Sequence, residues 1–507
     1  MSLESLIDPP PETFNLAEYC LDARLSEGLG DQPALYVSDK CYSYRQVCQR
    51  SHQMANLFQS HGLQAEQRLL LSLSDGLDYA ASLFGALKLG AAVVMLNPGF
   101  SPEENQAMVD YSRARLAVVE GDRQESFGGR LPLVTPDQAD AQPHDFQPEY
   151  RTHRDDVAIW LFSGGTTGRP KAVLQSHRSF YNTTELYAKR FLGYQRQDRT
   201  LSVPKLFFGY ATGSNLIFPF SVGASAVLFP EKCTADVLFQ QIARHRPTIL
   251  VNVPTMVNHM VSHPEAANQD LSCLRLATSA GEALPEALFH RWREVFGVEL
   301  LDGLGTAEMW HIFLSNPPGA ARPGTLGRPV PGFTVKAADD EGREVPTGEV
   351  GRLWVRGDSR ALSYWQESDK SQEALRGPWF VSSDLVSQDE DGYYRYCGRG
   401  DELLKVAGRW LAPQEVESCL LTHPAVKECA VVGVICEDGL IRPHAYVVAE
   451  GPTGPELEQT LKDHVLAALE PYKHPRRVLF AASLPRTHLG KVDRGALRSG
   501  SLEVCGT

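Results

Sequence analysis

The chain has 507 residues, room for roughly two to four domains, and its 43% hydrophobic and 22% charged content belongs to a globular protein, not a disordered one. With 62 acidic against 49 basic residues the net charge is −13, which excludes the overall basic footprint of a nucleic-acid or anionic-membrane binder but leaves room for a local basic pocket. The opening stretch, MSLESLIDPPPETFNLAEYC, has no basic start before an apolar core, so no secretory signal is expected. No apolar run is long enough to span a bilayer, and AASLFGALKLGAAVVML is interrupted by Lys88. Ten cysteines without C-x-x-C spacing read as small buried side chains in a reducing, cytoplasmic compartment, with neither a zinc site nor a disulfide framework.

In chain order, YRQVCQRSHQMANLFQSHG carries apolar residues at helical spacing and closes on Gly62. QRLLLSL then reads as a strand, YAASLFGALKLG as a helix ending at Gly90, and AAVVML as a second strand. This alternation predicts a parallel sheet covered by helices. Residues 200–305 repeat the rhythm, from ASAVLF through VLFQQIARHRP, TILVNVP, PTMVNHMV, LRLATSAGEALP and LFHRWREVFG to VELLDGLG. Two α/β halves predict a shared cleft at the carboxyl ends of their strands. After about residue 320 a Gly- and Pro-rich texture with short β runs predicts a small antiparallel barrel or sandwich. The last hundred residues return to mixed α/β character, with a boundary near GRGDELLK at 398–405.

Between the two halves stands SGGTTGRPK (163–171), flanked by the strand-like VAIWLF and KAVLQS, so it joins a hairpin. A Walker loop ends in G-K-[ST] and opens a helix; this one does neither. Its physics is nevertheless that of a phosphate loop. Glycines let backbone N–H groups converge on an anion, Ser163, Thr166 and Thr167 add hydroxyl donors, and Lys171 and Arg169 add charge. The alternative is a Gly-rich turn with no ligand.

SGGTTGRPK resembles the phosphate loop of the adenylate-forming enzymes: acyl- and aryl-CoA ligases, peptide-synthetase adenylation domains and luciferases. The resemblance runs in order along nearly the whole chain. SAGEALP (279–285) is similar to the adenine-binding turn, GLGTAEM (303–309) to the motif ending in a magnesium-linked glutamate, the segment 379–417 to the ribose motif and hinge, and PRTHLGKVDRGALR (485–498) to the loop carrying a catalytic lysine. It implies a large N-terminal domain (1–398) of two doubly wound α/β subdomains plus a small β-barrel at about 320–398, a hinge at 399–401 and a smaller, mobile α+β C-terminal domain (402–507).

It also implies roles. Ser163, Gly164, Gly165, Thr166, Thr167, Gly168 and Lys171 are expected to bind phosphate. Ser279, Ala280, Gly281, Glu282, Asp302, Gly303, Asp384 and Arg399 are expected at adenine and ribose. Lys491, Glu308 and Thr306 are the catalytic expectations, with Glu308 also the metal ligand, Asp401 the hinge, and Gly408 on the path of the pantetheine arm. ATP, Mg²⁺ and coenzyme A are the implied cofactors and co-substrates. Two departures stand out. Ala307 occupies the place of the family's threonine before the glutamate, and SSD replaces TGD before the ribose carboxylate. Losing one hydrogen bond to a charged group costs about 1.5–3 kcal/mol, so Ala307 slows turnover unless Thr306 substitutes, and it keeps open a weakly active adenylate-binding protein.

KLFFGYATGSN (205–215) and EMWHIFLSN (308–316) resemble the benzoate–CoA ligases. By that resemblance Phe208 gates the cleft, and Gly209, Tyr210, Ala280, Gly305, His311 and Ile312 line a flat slot. Phe207 is expected to be core packing, and His311 is either core or slot. Apolar walls with few polar groups suit a small aryl acid. Gly209, where the relatives often have alanine, is expected to free a methyl's volume for a ring substituent. The expected substrate is benzoate or an amino- or hydroxybenzoate, with 2-aminobenzoate favoured. The expected acceptor is coenzyme A, with a separate carrier protein as the alternative. The chain is expected as a monomer or homodimer without nucleic-acid or membrane partners.

Overall fold

The computed structural model describes residues 6–163, 171–400, 402–406, 409–435, 441–486 and 492–499. Its first half is a seven-stranded sheet in the order Ser363–Tyr364, Lys171–Ser176, Val157–Ser163, Ala92–Met95, Arg68–Ser72, Leu116–Val119, Leu133–Val134. The five strands from Val157–Ser163 to Leu133–Val134 run parallel, and an antiparallel hairpin, Val157–Ser163 with Lys171–Ser176, begins the other edge. The second half is a nine-stranded sheet whose parallel centre runs Leu300–Gly305, Leu276–Ser279, Ile249–Asn252, Arg199–Ser202, Ser225–Leu228, Pro33–Val37.

Both sheets are buried on two faces, as crossover helices require. Side chains alternate between faces along each strand. Leu69, Leu71 and Val93 of the first sheet therefore join Ile249, Leu276 and Leu301 of the second in one core between the sheets. Their neighbours Leu70, Ala92 and Val94 pack on the far side of the first sheet, and Leu250, Ala277 and Leu300 on the far side of the second.

Local chemistry sets the helices. Ser43 and Gln46 form a capping box at the start of the helix Tyr44–Ser60, and Ser101 with Glu104 does the same for Pro102–Ser112. The Gly- and Pro-rich stretch forms a five-stranded antiparallel sheet containing Thr334–Ala338, Val350–Arg356, Leu375–Arg376, Trp379–Gln388 and Tyr394–Arg399. Toward the C-terminus, Val426–Ile435, Ile441–Ala449 and Arg477–Phe480 make a mixed three-stranded sheet packed by Pro413–Leu420 and Pro455–Ala468. No helix among the described residues is long and apolar enough to cross a membrane.

Away from the cleft, Cys48 and His52, one turn apart on the helix Tyr44–Ser60, meet Asp22. Cys48 Sγ lies 3.6 Å from both Asp22 Oδ1 and His52 Nε2, a juxtaposition that Cys spacing alone does not reveal. The Lys88 ammonium pairs with the other oxygen of Asp22, and burial pushes the Cys48 thiol up to about 11. The trio is thus a hydrogen-bonded network closed by Lys88.

Candidate active site

A cavity of about 210 Å³ lies where the two α/β halves face each other. Phe208, Gly209, Tyr210, Ala280, Gly305, His311 and Ile312 all stand on its wall, with Thr306 and Ala307 beside them. Phe207 is there too, its ring 4.4 Å from that of Phe208; it is half-buried, packs against the core as expected and also lines the cavity. The turn carrying these rings is pinned from beneath. Asp75 Oδ1 accepts the Leu206 N–H at 2.9 Å, and Lys205 Nζ donates to the Phe229 carbonyl at 2.6 Å. Burial pushes the Asp75 carboxyl up to about 6.

The first half supplies the opposite wall through Met95 and Leu161 of its strands, Met108 of the helix Pro102–Ser112 and Phe100 of the loop before that helix. No motif marks these residues, and as ordinary apolar side chains they carry no local signal. Leu161 also changes the reading of Gly209. A Cβ built at Gly209 meets the two Leu161 methyls at 3.1 and 3.2 Å, so the methyl's volume is already taken by Leu161 and is not left open to a ring.

His311 is both core and slot. It is 3% exposed and lines the cavity. Its Nε2 lies 3.1 Å from the Tyr210 carbonyl, so that nitrogen carries the proton. Burial pushes the imidazole down to about 3, so the ring is neutral. Tyr210 in turn shares a 2.7 Å hydrogen bond with Thr278. Trp310, on the same wall, holds a positive φ of 61°, an outlier for a bulky residue that turns the chain sharply between Glu308 and His311.

The segment 302–309 shows which glycines are structural. A Cβ at Gly303 would sit 2.7 Å from the Leu314 carbonyl oxygen, and one at Gly305 2.5 Å from that of His311. The returning strand Ile312–Ser315 thus requires both glycines, whatever ligand is present. Asp302 is buried opposite Ser279 on the neighbouring strand. Its Oδ1 accepts no close hydrogen bond among the described residues, and burial pushes its carboxyl well up against the opposing pull of the Ser279 hydroxyl and the Gly303 N–H. Gly281, at φ +91°, has open space where a side chain would be. Glu282 accepts from the Thr255 N–H and hydroxyl at 3.0 and 2.7 Å.

Thr306 caps the short turn Ala307–Met309 by accepting the Met309 N–H at 3.3 Å. Glu308 is buried, and its Oε1 accepts the Tyr364 hydroxyl at 2.8 Å. Lys171 places its ammonium 4.5 Å from the centre of the Tyr364 ring. Ser163 and Lys171 face each other across the end of the hairpin. Asp384 is buried and accepts from the Ser382 hydroxyl at 2.6 Å and the Tyr396 hydroxyl at 3.2 Å. The first serine of SSD therefore orients the carboxylate. Arg399, opposite Asp384 in register, approaches it at 3.9 Å. Gly164, Gly165, Thr166, Thr167, Gly168, Asp401, Gly408 and Lys491 lie outside the described residues.

Comparison with known proteins matches this arrangement. Residues 23–365 match the AMP-binding enzyme family, and residues 415–491 match the AMP-binding enzyme C-terminal domain. A benzoate–CoA ligase of Thauera aromatica is 38% identical over 517 aligned positions, covering 96% of both chains. An anthranilate–CoA ligase of Pseudomonas aeruginosa is 33% identical over 90% of each. Among solved structures, an anthranilate CoA ligase in complex with anthranoyl-AMP superposes with a TM-score of 0.92 at 38% identity, covering 97% of this chain and 98% of its own. Two sheets meeting at an apolar cavity, the order of the motifs along the sequence and end-to-end similarity lead to one conclusion: the chain belongs to the AMP-binding enzyme family.

Proposed function

We propose that the protein is an ATP-dependent aryl–CoA ligase. The observation that carries this reading is the small cavity itself. It is walled by Phe207, Phe208, Tyr210, Leu161, Trp310 and Ile312, with Thr306 and Ala307 at one side. Its volume is below the ~300–1,000 Å³ typical of sites for drug-sized ligands, which suits a single ring and not a long acyl chain. The ligand names carried by the benzoate and anthranilate relatives point the same way.

In the first step a carboxylate oxygen of the aryl acid bonds to the α-phosphorus of ATP, and the bond from that phosphorus to the bridging oxygen of pyrophosphate breaks. In the second, the sulfur of coenzyme A bonds to the acyl carbon. The acyl–oxygen bond to AMP breaks, and the thiol proton passes to solvent. Two anions must meet in the first step, so preoriented donors and cations supply most of the catalysis. Lys171 and the 163–168 loop hold the outer phosphates, and Lys491 bridges the acid and the α-phosphate. Asp384 takes the ribose hydroxyls, oriented by Ser382 and Tyr396. Asp302 and Ser279, side by side on neighbouring strands, face the adenine. Thr306 replaces the hydroxyl missing at Ala307: its oxygen accepts from Met309 N, so its own proton is free to donate.

Glu308 suits a magnesium ion. One oxygen is fixed by Tyr364, the other takes no hydrogen bond among the described residues, and magnesium uses only one or two carboxylates beside phosphates and water. When bound, the ion neutralises phosphate charge.

The favoured acid is benzoate or an amino- or hydroxybenzoate, with 2-aminobenzoate first. The test is acid-dependent pyrophosphate release with ATP and Mg²⁺ across benzoate, the aminobenzoates, the hydroxybenzoates and a fatty acid, each with and without coenzyme A. Multiple turnovers that require coenzyme A and one aryl acid are expected. An adenylate that coenzyme A cannot discharge points to a carrier protein as the acceptor, and silence with every aryl acid overturns the reading.

A further inference from the structure

We propose that Tyr364 is a positioning residue that orients Glu308 and Lys171 together, so that the metal-linked acid and the phosphate-binding cation are set by one ring. The inference rests on the reading of Glu308 and Lys171 given above. Tyr364 belongs to the two-residue strand Ser363–Tyr364, which pairs antiparallel with Lys171–Ser176 at the edge of the first sheet, Tyr364 opposite Val173. Its ring is 5% exposed. The hydroxyl donates to Glu308 Oε1 at 2.8 Å, and the ring face receives the Lys171 ammonium at 4.5 Å. The Ala361 N–H, three residues before Tyr364, donates to the Glu308 carbonyl at 2.7 Å. Glu308 itself hangs from the end of the other sheet. The segment 361–364 is therefore where the first sheet grips the acid of the second.

Two physical consequences follow. A buried carboxylate with one oxygen fixed by a charge-assisted hydrogen bond has its second oxygen preoriented, so a cation pays less ordering cost on binding. An ammonium resting on an aromatic face keeps part of its stabilisation without a carboxylate to neutralise it, so Lys171 stays available to phosphate. Tyr364 serves both groups without touching the acid to be activated; it is absent from the cavity wall.

The experiment measures Mn²⁺ binding to the full-length protein with ATP by water-proton relaxation, in wild type and in Tyr364→Phe, Tyr364→Leu, Glu308→Gln and the Glu308→Gln/Tyr364→Phe double variant. Thermal melts are run alongside. Tyr364→Phe keeps the ring and loses only the donor. It is expected to weaken Mn²⁺ binding about tenfold or more while the melting temperature and metal-free ATP affinity hold. Tyr364→Leu is expected to weaken metal-free ATP binding as well. In the Glu308→Gln background, Tyr364→Phe is expected to have no further effect on Mn²⁺, as two groups acting in series require. Unchanged Mn²⁺ affinity in Tyr364→Phe, with Glu308→Gln impaired, overturns the proposal and leaves the role of Glu308 standing. Equal losses from Tyr364→Phe in both backgrounds overturn it too, since the tyrosine then acts elsewhere. If Glu308→Gln itself binds Mn²⁺ normally, the reading of Glu308 fails, and the proposal with it. If Tyr364→Phe melts early, the double-variant comparison still decides, because a purely structural loss persists without the Glu308 carboxylate.

Discussion

Gly209 and Leu161 form a pair in which each side chain limits the other. Replacing Gly209 by alanine presses a methyl against Leu161 at 3.1–3.2 Å, closer than ordinary contact, so Leu161 must move. Both residues line the cavity, and a displaced Leu161 reduces the room for a ring substituent. Gly209→Ala is expected to lower kcat/KM for a substituted benzoate relative to benzoate by about tenfold or more, and adding Leu161→Ala is expected to restore the ratio. A parallel prediction concerns Thr306. Thr306→Val is expected to slow adenylation about 10- to 150-fold, the worth of one hydrogen bond to a charged group, whereas Thr306→Ser retains most of the rate; stopped-flow pyrophosphate release reads both. Lys491→Ala, which removes a cation proposed to bridge the acid and the α-phosphate, is expected to lose 10²–10³-fold or more in adenylation with ATP binding largely kept, and isothermal titration separates the two.

At the scale of elements, the C-terminal sheet depends on a buried ion pair. Arg494 grips Glu417 with two nitrogens at 2.5 and 2.9 Å, and Glu417 also accepts the Val431 N–H at 2.6 Å. This ties the helix Arg494–Arg498 to the helix Pro413–Leu420 and the strand Val426–Ile435. Arg494→Ala leaves a buried carboxylate unpaired and is expected to cost about 3–5 kcal/mol, read as a lower denaturant midpoint for the C-terminal region. In the N-terminal half, His177 begins the helix His177–Thr183, and its Nδ1 accepts the Leu16 N–H at 3.0 Å. Burial pushes the imidazole down to about 4. The unfolded chain takes up that proton near pH 6.5, so the folded state loses stability as pH falls from about 6.5 toward 4. Asp75 acts in the opposite sense: its raised folded pKa favours the folded state as pH falls through about 6. His177→Gln, which preserves an acceptor for Leu16, is therefore expected to flatten the acid limb of a plot of urea midpoint against pH.

For the whole molecule, we propose that the C-terminal region presents different groups to one cleft in the two steps. The hinge at Asp401 and the path at Gly408 rest on motif resemblance. Asp401→Pro, which fixes one backbone torsion, is expected to impair thioester formation more than adenylation, seen as adenylate accumulating in single-turnover quench experiments. The sequence by itself determined the α/β alternation, the hairpin at 157–176, the family and its ordered motifs. These rest on local periodicity and on short runs whose residue types are dictated by backbone approach or by charge. It also identified the cavity residues carried on the 205–215 and 308–316 segments. Only the tertiary structure brought in Leu161, Met95, Phe100 and Met108, gave Phe207 to the cavity, filled the space beside Gly209, and set Tyr364 between Lys171 and Glu308. The physical reason is common to all of these. A wall or a bridge is made by side chains from strands far apart in sequence, and their apolar or aromatic identity meets ordinary core packing equally well. Their function depends on which sheet face they occupy and what lies opposite, and only the packing of the two sheets fixes that.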